Sequence, residues 1–177
     1  GTSTILGTTG RYPIGIAIDN AGNIYTANHG TNSVSKITTD GSSTILGTTD
    51  SRPYGVVIDT TGNVYTTNYD ANNVSKISTK PASTIPFEPV SVVNWANTVE
   101  SPYEIAIDND SNIYTTNFNA RSVSKVTSNG TSTIFASTGT NPYGIANDNA
   151  GNIYIANHAS NNVLKITPNG TSTILGS

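Results

Sequence analysis

The sequence predicts an all-β chain built from four copies of one four-stranded antiparallel unit, and three observations predict it. The first is self-similarity. PIGIAIDNAGNIYTANHGTNSVSKIT from Pro13, PYGVVIDTTGNVYTTNYDANNVSKIS from Pro53, PYEIAIDNDSNIYTTNFNARSVSKVT from Pro102 and PYGIANDNAGNIYIANHASNNVLKIT from Pro142 align without gaps. Tyr25, Tyr65, Tyr114 and Tyr154 step by 40, 49 and 40 residues, as do the prolines and Lys36, Lys76, Lys125 and Lys165. The second is that every copy breaks into short β-branched runs separated by Gly, Asn and Asp clusters. The third is that no stretch carries a helical stripe or a capped helix start.

Strand A is GIAID in the first copy, opened by proline, which suits a strand's first position. DNAGN then reverses the chain: Asp accepts backbone N–H bonds and Gly takes positive φ. Strand B is NIYTAN, and the polar loop HGTN leads to strand C, SVSKIT. A second turn, TDG or SNG, leads to strand D, STIL. Strand C carries apolar residues of both parities, Val34 and Ile37, so both of its faces are expected to be covered. The repeat lysines are expected on a solvated edge. Four short strands in about 40 residues, repeated, make a blade of a β-propeller.

The expected boundaries are 8–47, 48–86, 87–135 with a nine-residue insertion, and 136–177, with 1–7 as an extra outer strand. That last segment is needed because TSTILG stands both at 2–7 and at 171–176, giving five D strands to four A–B–C sets. The chain is thus a segment of a longer propeller, a four-bladed ring with one strand displaced, or a unit that lends a strand to a neighbour. An incomplete array that associates, or belongs to something larger, is the favoured expectation.

The pattern Pro-x-Gly-[Ile/Val]-[Ala/Val]-x-Asp, then Gly-Asn-[Ile/Val]-Tyr, then Asn-x-Val-x-Lys-[Ile/Val], resembles the NHL-repeat β-propellers and the related lyase and lactonase propellers. The resemblance covers essentially the whole chain. It implies the fold and leaves function open, because such propellers serve as enzymes, ligand binders and interaction platforms. It also implies turn-stabilising roles for Asp19, Asp59, Asp108 and Asp148, and for Asn23, Asn63, Asn112 and Asn152. Two positions depart from the repeat: Glu104 stands where the other copies have Gly15, Gly55 and Gly144, and Asn147 where they have Ile18, Ile58 and Ile107.

Composition narrows the function classes. Charged residues are 11% of the chain and the net charge is −3, which offers no footprint for nucleic acid or an anionic membrane. No apolar run is long enough to span a bilayer, so membrane insertion is not expected. Cysteine is absent, which removes disulfides, zinc–thiolate sites and thiol nucleophiles. With no initiator Met and no leader, the chain reads as a mature or excised segment. Its Ser, Thr and Asn content suits a secreted or cell-surface protein, and Asn73, Asn129 and Asn169 lie in glycosylation sequons.

Alternating strand direction puts loops B–C and D–A on one side of the array. His29, Tyr69, Phe118 and His158 share one B–C position there. The insertion within Pro86–Glu100, read as a D–A loop, adds Phe87 and Trp95; Arg11 and Arg52 lie in D–A connections, and Glu104 opens a strand A. These nine residues form the candidate ligand-binding face. His29, His158 and Glu104 are the candidates for catalysis. Zinc needs three protein ligands where only two histidines exist, DNDSN at 108–112 lacks the closing Glu of a calcium loop, and no Gly-x-Ser-x-Gly elbow occurs. No metal or cofactor is therefore expected. The expected function is a non-catalytic extracellular interaction or structural module, with a protein partner or its own copies as ligand. The alternatives are a lyase or lactonase using the two histidines and Glu104, and a carbohydrate binder stacking a sugar on Trp95.

Overall fold

Each repeat closes its first hairpin on one carboxylate. In the second copy, Asp59 Oδ1 accepts the backbone N–H groups of Thr61 and Asn63, both at 2.9 Å. Its Oδ2 accepts the Asn63 side-chain amide at 2.7 Å and the Tyr65 hydroxyl at 3.0 Å. The backbone closes the same turn, with Gly62 N–H donating to the Asp59 carbonyl at 3.0 Å. Asp19, Asp108 and Asp148 repeat the arrangement with Tyr25, Tyr114 and Tyr154. Each buried phenol thereby finds its acceptor at the turn, six residues upstream. Burial and the neighbouring Asp19 push the Tyr25 hydroxyl up to about 12.

The computed structural model of the chain describes residues 1–78 and 91–176. They form sixteen strands in four antiparallel sheets of four. Blade one is β1 (Pro13–Ile18), β2 (Ile24–Asn28), β3 (Ser33–Ile37) and β4 (Ser43–Thr48). Blade two is β5 (Pro53–Ile58), β6 (Val64–Asn68), β7 (Asn73–Ser78) and β8 (Ser91–Asn97). Blade three is β9 (Pro102–Ile107), β10 (Ile113–Asn117), β11 (Ser122–Val126) and β12 (Ser132–Ser137). Blade four is β13 (Pro142–Asn147), β14 (Ile153–Asn157), β15 (Asn162–Ile166) and β16 (Ser172–Gly176). Within each blade the strands pair in chain order, as in a propeller.

The second blade differs from its expected layout. Its outer strand is Ser91–Asn97, so the extra residues of the 49-residue step precede that strand. The STI signal at 83–85 and Phe87 lie outside the described residues. The reason is packing. In β8, Trp95 takes the place that Leu46 and Phe135 hold in β4 and β12, and lies over Tyr65 at 5.0 Å between ring centroids. Ala96 takes the place of Gly47. The lysines differ too: Lys36, Lys76 and Lys125 are half-buried, with Nζ at 5.5, 5.4 and 5.3 Å from the cross-strand rings of Tyr25, Tyr65 and Tyr114. They cover the tyrosines while reaching water.

The core lies between blades. Tyr25, Ala27 and Val34 of blade one pack on Val56, Val64 and Ile77 of blade two. Tyr65 and Val74 of blade two meet Ile105, Ile113 and Val126, and Tyr114 and Val123 of blade three meet Ile153, Ile155 and Ile166. Each blade thus has a forward face (Tyr, Ala or Thr, Val) and a back face whose apolar contacts come from Val and Ile, with Leu164 added in blade four. This explains the double parity of strand C: Val34 points forward and Ile37 back.

The two end faces show the same residues uncovered. On the back of blade one, Ile16 and Ile18 are 71% and 67% exposed, whereas Val56, the counterpart of Ile16, is 5% exposed. On the front of blade four, Val163 is 41% and Leu175 56% exposed, whereas Val34, Val74 and Val123 are fully buried. Blades one and four therefore do not cover each other.

Residues 1–9, which carry the fifth copy of the outer-strand sequence, are not paired into a sheet. They lie along the back of blade one. A Cβ on Gly7 would stand 2.7 Å from Ile37 Cγ2, and Thr8 N–H donates to Ser43 Oγ at 3.0 Å.

Two stability outcomes follow. Asp59→Ala removes five side-chain hydrogen bonds and leaves the Tyr65 hydroxyl without its acceptor. Equilibrium denaturation is expected to show a loss of about 2 kcal/mol. Asp148 is held down to about 2 by bonds from the Asn152 side chain and backbone. A depressed carboxyl contributes stability above its unfolded value of 3.8, lost as pH falls towards 2. The urea midpoint is expected to drop between pH 4 and 2, with a shallower drop in Asp148→Asn.

Candidate functional site

The B–C loops and the D–A connections meet on one side, as the strand directions require, and the backbone fixes how. Tyr12, Arg52, Ser101 and Asn141, each just before a strand-opening proline, adopt φ of 52, 56, 56 and 55°. This strained left-handed conformation turns their carbonyls towards the B–C loop. His29, Tyr69, Phe118 and His158 donate their backbone N–H groups to those carbonyls at 3.0, 2.9, 2.9 and 2.9 Å. Below them lies the last Asn of the Asn-[Ile/Val]-Tyr-x-x-Asn motif. Asn28 donates from Nδ2 to Ser33 and Ser35 at 3.2 and 2.8 Å, and Asn117 donates to Ser122 and Ser124 at 3.1 and 2.9 Å. Asn68 does the same with Asn73 and Ser75. These buried amides tie strand B to strand C where the loop leaves the sheet.

Three further rings join this rim: Tyr54, Tyr103 and Tyr143, the second residues of strands β5, β9 and β13. His29 stands edge-on to Tyr54 at 5.0 Å, Tyr54 lies 4.5 Å from Tyr103, Tyr103 is 4.8 Å from Tyr143, and Tyr143 is 5.3 Å from His158. Tyr69 packs on Tyr54 and Tyr103, and Phe118 on Tyr103 and Tyr143. Seven rings thus run without a break across three blade junctions. Such offset and edge contacts are worth about 0.5–1.5 kcal/mol per pair beyond area burial. The tyrosines of strand A were not singled out from sequence. Their signal was the Pro-Tyr pair in three copies; the first copy has Ile14 there.

Arg52 closes one end of the rim. Its Nε donates to His29 Nε2 at 3.3 Å, its Nη1 lies 3.3 Å from Asp70 Oδ1, and its guanidinium sits 5.7 Å from the Tyr69 ring. Burial and the Arg52 charge hold the His29 imidazole below its usual value, Asp70 opposing. The neutral ring accepts from Arg52 and carries its proton on Nδ1, a buried atom with no partner. Glu104 is half-buried on the inner strand of blade three, with Oε2 against Gly55 on the inner strand of blade two. Burial raises its carboxyl, and the Ile105 N–H partly offsets that.

The nine candidates therefore divide. His29, Arg52, Tyr69, Phe118 and His158 share the rim, and Glu104 lies beside it on the inner strand. Arg11 points away, its guanidinium 5.0 Å from the exposed Tyr12 ring. Trp95 is on strand β8 over Tyr65, at the opposite end of the blade, where the A–B and C–D turns lie. Phe87 lies outside the described residues. His29 and His158 do not meet: three tyrosine rings stand between them. Among the described residues no three His, Asp or Glu side chains come together to hold a metal ion.

No family model matches the sequence, and no curated protein matches it. Solved structures do. The chain superposes on a streptogramin B lyase with a TM-score of 0.78 at 20% identity, over 93% of this chain and 54% of the other. It superposes on a catalytically inactive virginiamycin B lyase from Staphylococcus aureus, with quinupristin, with a TM-score of 0.76 at 19% identity, over 95% and 56%. A chain of the nidogen/laminin complex gives a TM-score of 0.77 at 17% identity, over 94% and 65%. The chain is a β-propeller array, related in fold to these proteins. It spans about half the length of the two lyases.

Because the Glu104 carboxyl is raised by burial, its ionised form costs stability above its unfolded value of 4.5, and the cost disappears below it. Glu104→Gln is expected to raise the thermal midpoint at pH 7 and leave it unchanged at pH 3, as read by circular dichroism.

Proposed function

We propose that the chain is a non-catalytic, secreted or cell-surface propeller module that binds a protein partner through the ring-lined rim and associates through its unpaired blades. The observation that carries the reading is the continuous run of seven rings from His29 to His158. Tyrosine and arginine are enriched, and Lys, Glu and Asp depleted, where protein interfaces hold most of their binding energy. The rim is rich in such rings, with Arg52, paired to Asp70, its one cation among the described residues. Its rings are already packed against one another, so little side-chain entropy is lost on binding. The net charge of −3 argues against nucleic acid as the partner.

The lyase or lactonase reading needs His29, His158 and Glu104 to converge on one reacting atom. The separation of the two histidines weighs against it. The similarly folded proteins include lyases and a chain in a protein complex, so the fold favours neither class. A sugar ring is the alternative occupant of the same rings, although Trp95, which first suggested it, lies on the other side.

Panning a displayed peptide library on the purified chain tests the reading. Selected peptides are expected to bind Tyr69→Ala and Phe118→Ala at least about tenfold more weakly, and to bind Asp110→Ala, on the opposite side, unchanged. Binding that ignores the rim variants would sink the proposal. A glycan array probed with the same variants separates a sugar ligand from a peptide one.

A further inference from the structure

The two end faces are the two halves of an interface that the chain already makes three times. The front of blade four presents Tyr154, Ala156, Val163 and Leu175, the counterparts of Tyr25, Ala27, Val34 and Leu46, which are packed against blade two. The back of blade one presents Ile16, Ile18 and Ile24, the counterparts of Val56, Ile58 and Val64, which are packed against blade one. Tyr25, Tyr65 and Tyr114 are buried, whereas Tyr154 is only half-buried for want of a following blade.

Residues 1–9 supply an independent observation. They already occupy the place of a preceding blade's outer strand. The Leu6 carbonyl lies 3.1 Å from where a Cβ on Gly41 would stand, as the Trp95 carbonyl does for Gly130 at 3.3 Å and the Phe135 carbonyl for Gly170 at 3.5 Å. Gly10 N–H donates to Ser35 Oγ at 3.0 Å, and Asp50 N–H to Ser75 Oγ at 3.5 Å. An outer strand is therefore seated on blade one with no third strand beside it, and its TSTILG is identical to that of β16.

We infer that the front of blade four docks on the back of blade one of a second copy, and that residues 2–7 of that copy replace β16 beside β15. The inference deepens the self-association part of the proposed function and rests on it. The hydrogen bonds that complete the junction can be read from the internal ones. Thr49, Thr98 and Thr138 donate N–H to the carbonyls of Asn32, Asn72 and Arg121, so Thr9 of the second copy meets the carbonyl of Asn161. Arg52 and Ser101 donate N–H to Asn32 Oδ1 and Asn72 Oδ1, so Tyr12 of the second copy meets Asn161 Oδ1. Such a contact is head-to-tail. It closes when two copies bring eight blades together, within the range of known rings.

Sedimentation at high micromolar concentration is expected to show a species of twice the 18.4 kDa chain mass. Ile16→Glu and Val163→Glu each abolish it, with circular dichroism confirming that both remain folded; both side chains are exposed in the single chain. Mixing the two variants restores a dimer, because each keeps the half that the other lacks. A Thr4→Cys/Lys165→Cys double variant, in a chain otherwise free of cysteine, is expected to form an interchain disulfide on oxidation. A monomeric wild type, a dimer that survives both glutamates, growth beyond the dimer, or a dimer without the disulfide overturns the inference. A monomer that still binds the selected peptides removes this inference alone, and a dimer that binds none removes the rim reading alone.

Discussion

A blade of this chain has no face that water can solvate well. Forward faces carry Tyr and Val and back faces carry Val and Ile, so each sheet must lie between two others. Each fully buried Val or Ile contributes on the order of 1.5–3 kcal/mol relative to exposure. One isolated four-stranded sheet of about 40 residues would leave nearly all of that unrealised, and stability accrues only as neighbours stack. The Asp–Asn–Tyr turn serves the same constraint. It gives the phenol at the centre of each forward face an acceptor, so that its ring can be buried without stranding a hydroxyl.

Most of this was legible in the sequence. The 40-residue period gave the blades, the opposite parity of Val34 and Ile37 gave two covered faces, and the repeated Asp, Asn and Tyr gave the hairpin turn. The second outer strand was misplaced because STI at 83–85 matches the repeat more closely than SVVNWAN at 91–97 does. What decides the matter is three-dimensional. Trp95 covers Tyr65 as Phe135 covers Tyr114, and an aromatic in place of leucine hides the homology of β8 to β4. The lysines look simply solvated in the sequence, because a cation above a cross-strand ring cannot be seen without the register.

The rim was half legible. The shared B–C position brought His29, Tyr69, Phe118 and His158 to one side, which strand direction alone determines. Tyr54, Tyr103 and Tyr143 escaped notice because they sit in strand A, where an aromatic reads as core. The bulge between the opening proline and the middle of that strand changes this: it shifts the register between Pro53 and Val56, and Tyr54 turns towards the loops. The histidines drew attention by their rarity. Their surroundings show that they are the two ends of a ring series whose middle members are Tyr and Phe.

The repeat therefore separates two jobs by position. The residues that close turns and fill the gaps between blades hardly change from copy to copy, because each must fit an almost identical neighbour. The slot after Asn28, Asn68, Asn117 and Asn157 is fixed in each copy by the same backbone N–H bond, which asks nothing of its side chain. It varies within planar rings, and the strand A position beside it is Tyr wherever a preceding blade supplies a ring to meet it. Ile14 is the exception: it lies on the one inner strand with no blade before it, and it is 46% exposed. In a head-to-tail pair that isoleucine would face His158 of the neighbouring copy, ending the ring series at each junction between chains. The rim of one chain would then remain a separate binding surface even within a closed ring, which ties the extent of the site to the way the propeller is completed.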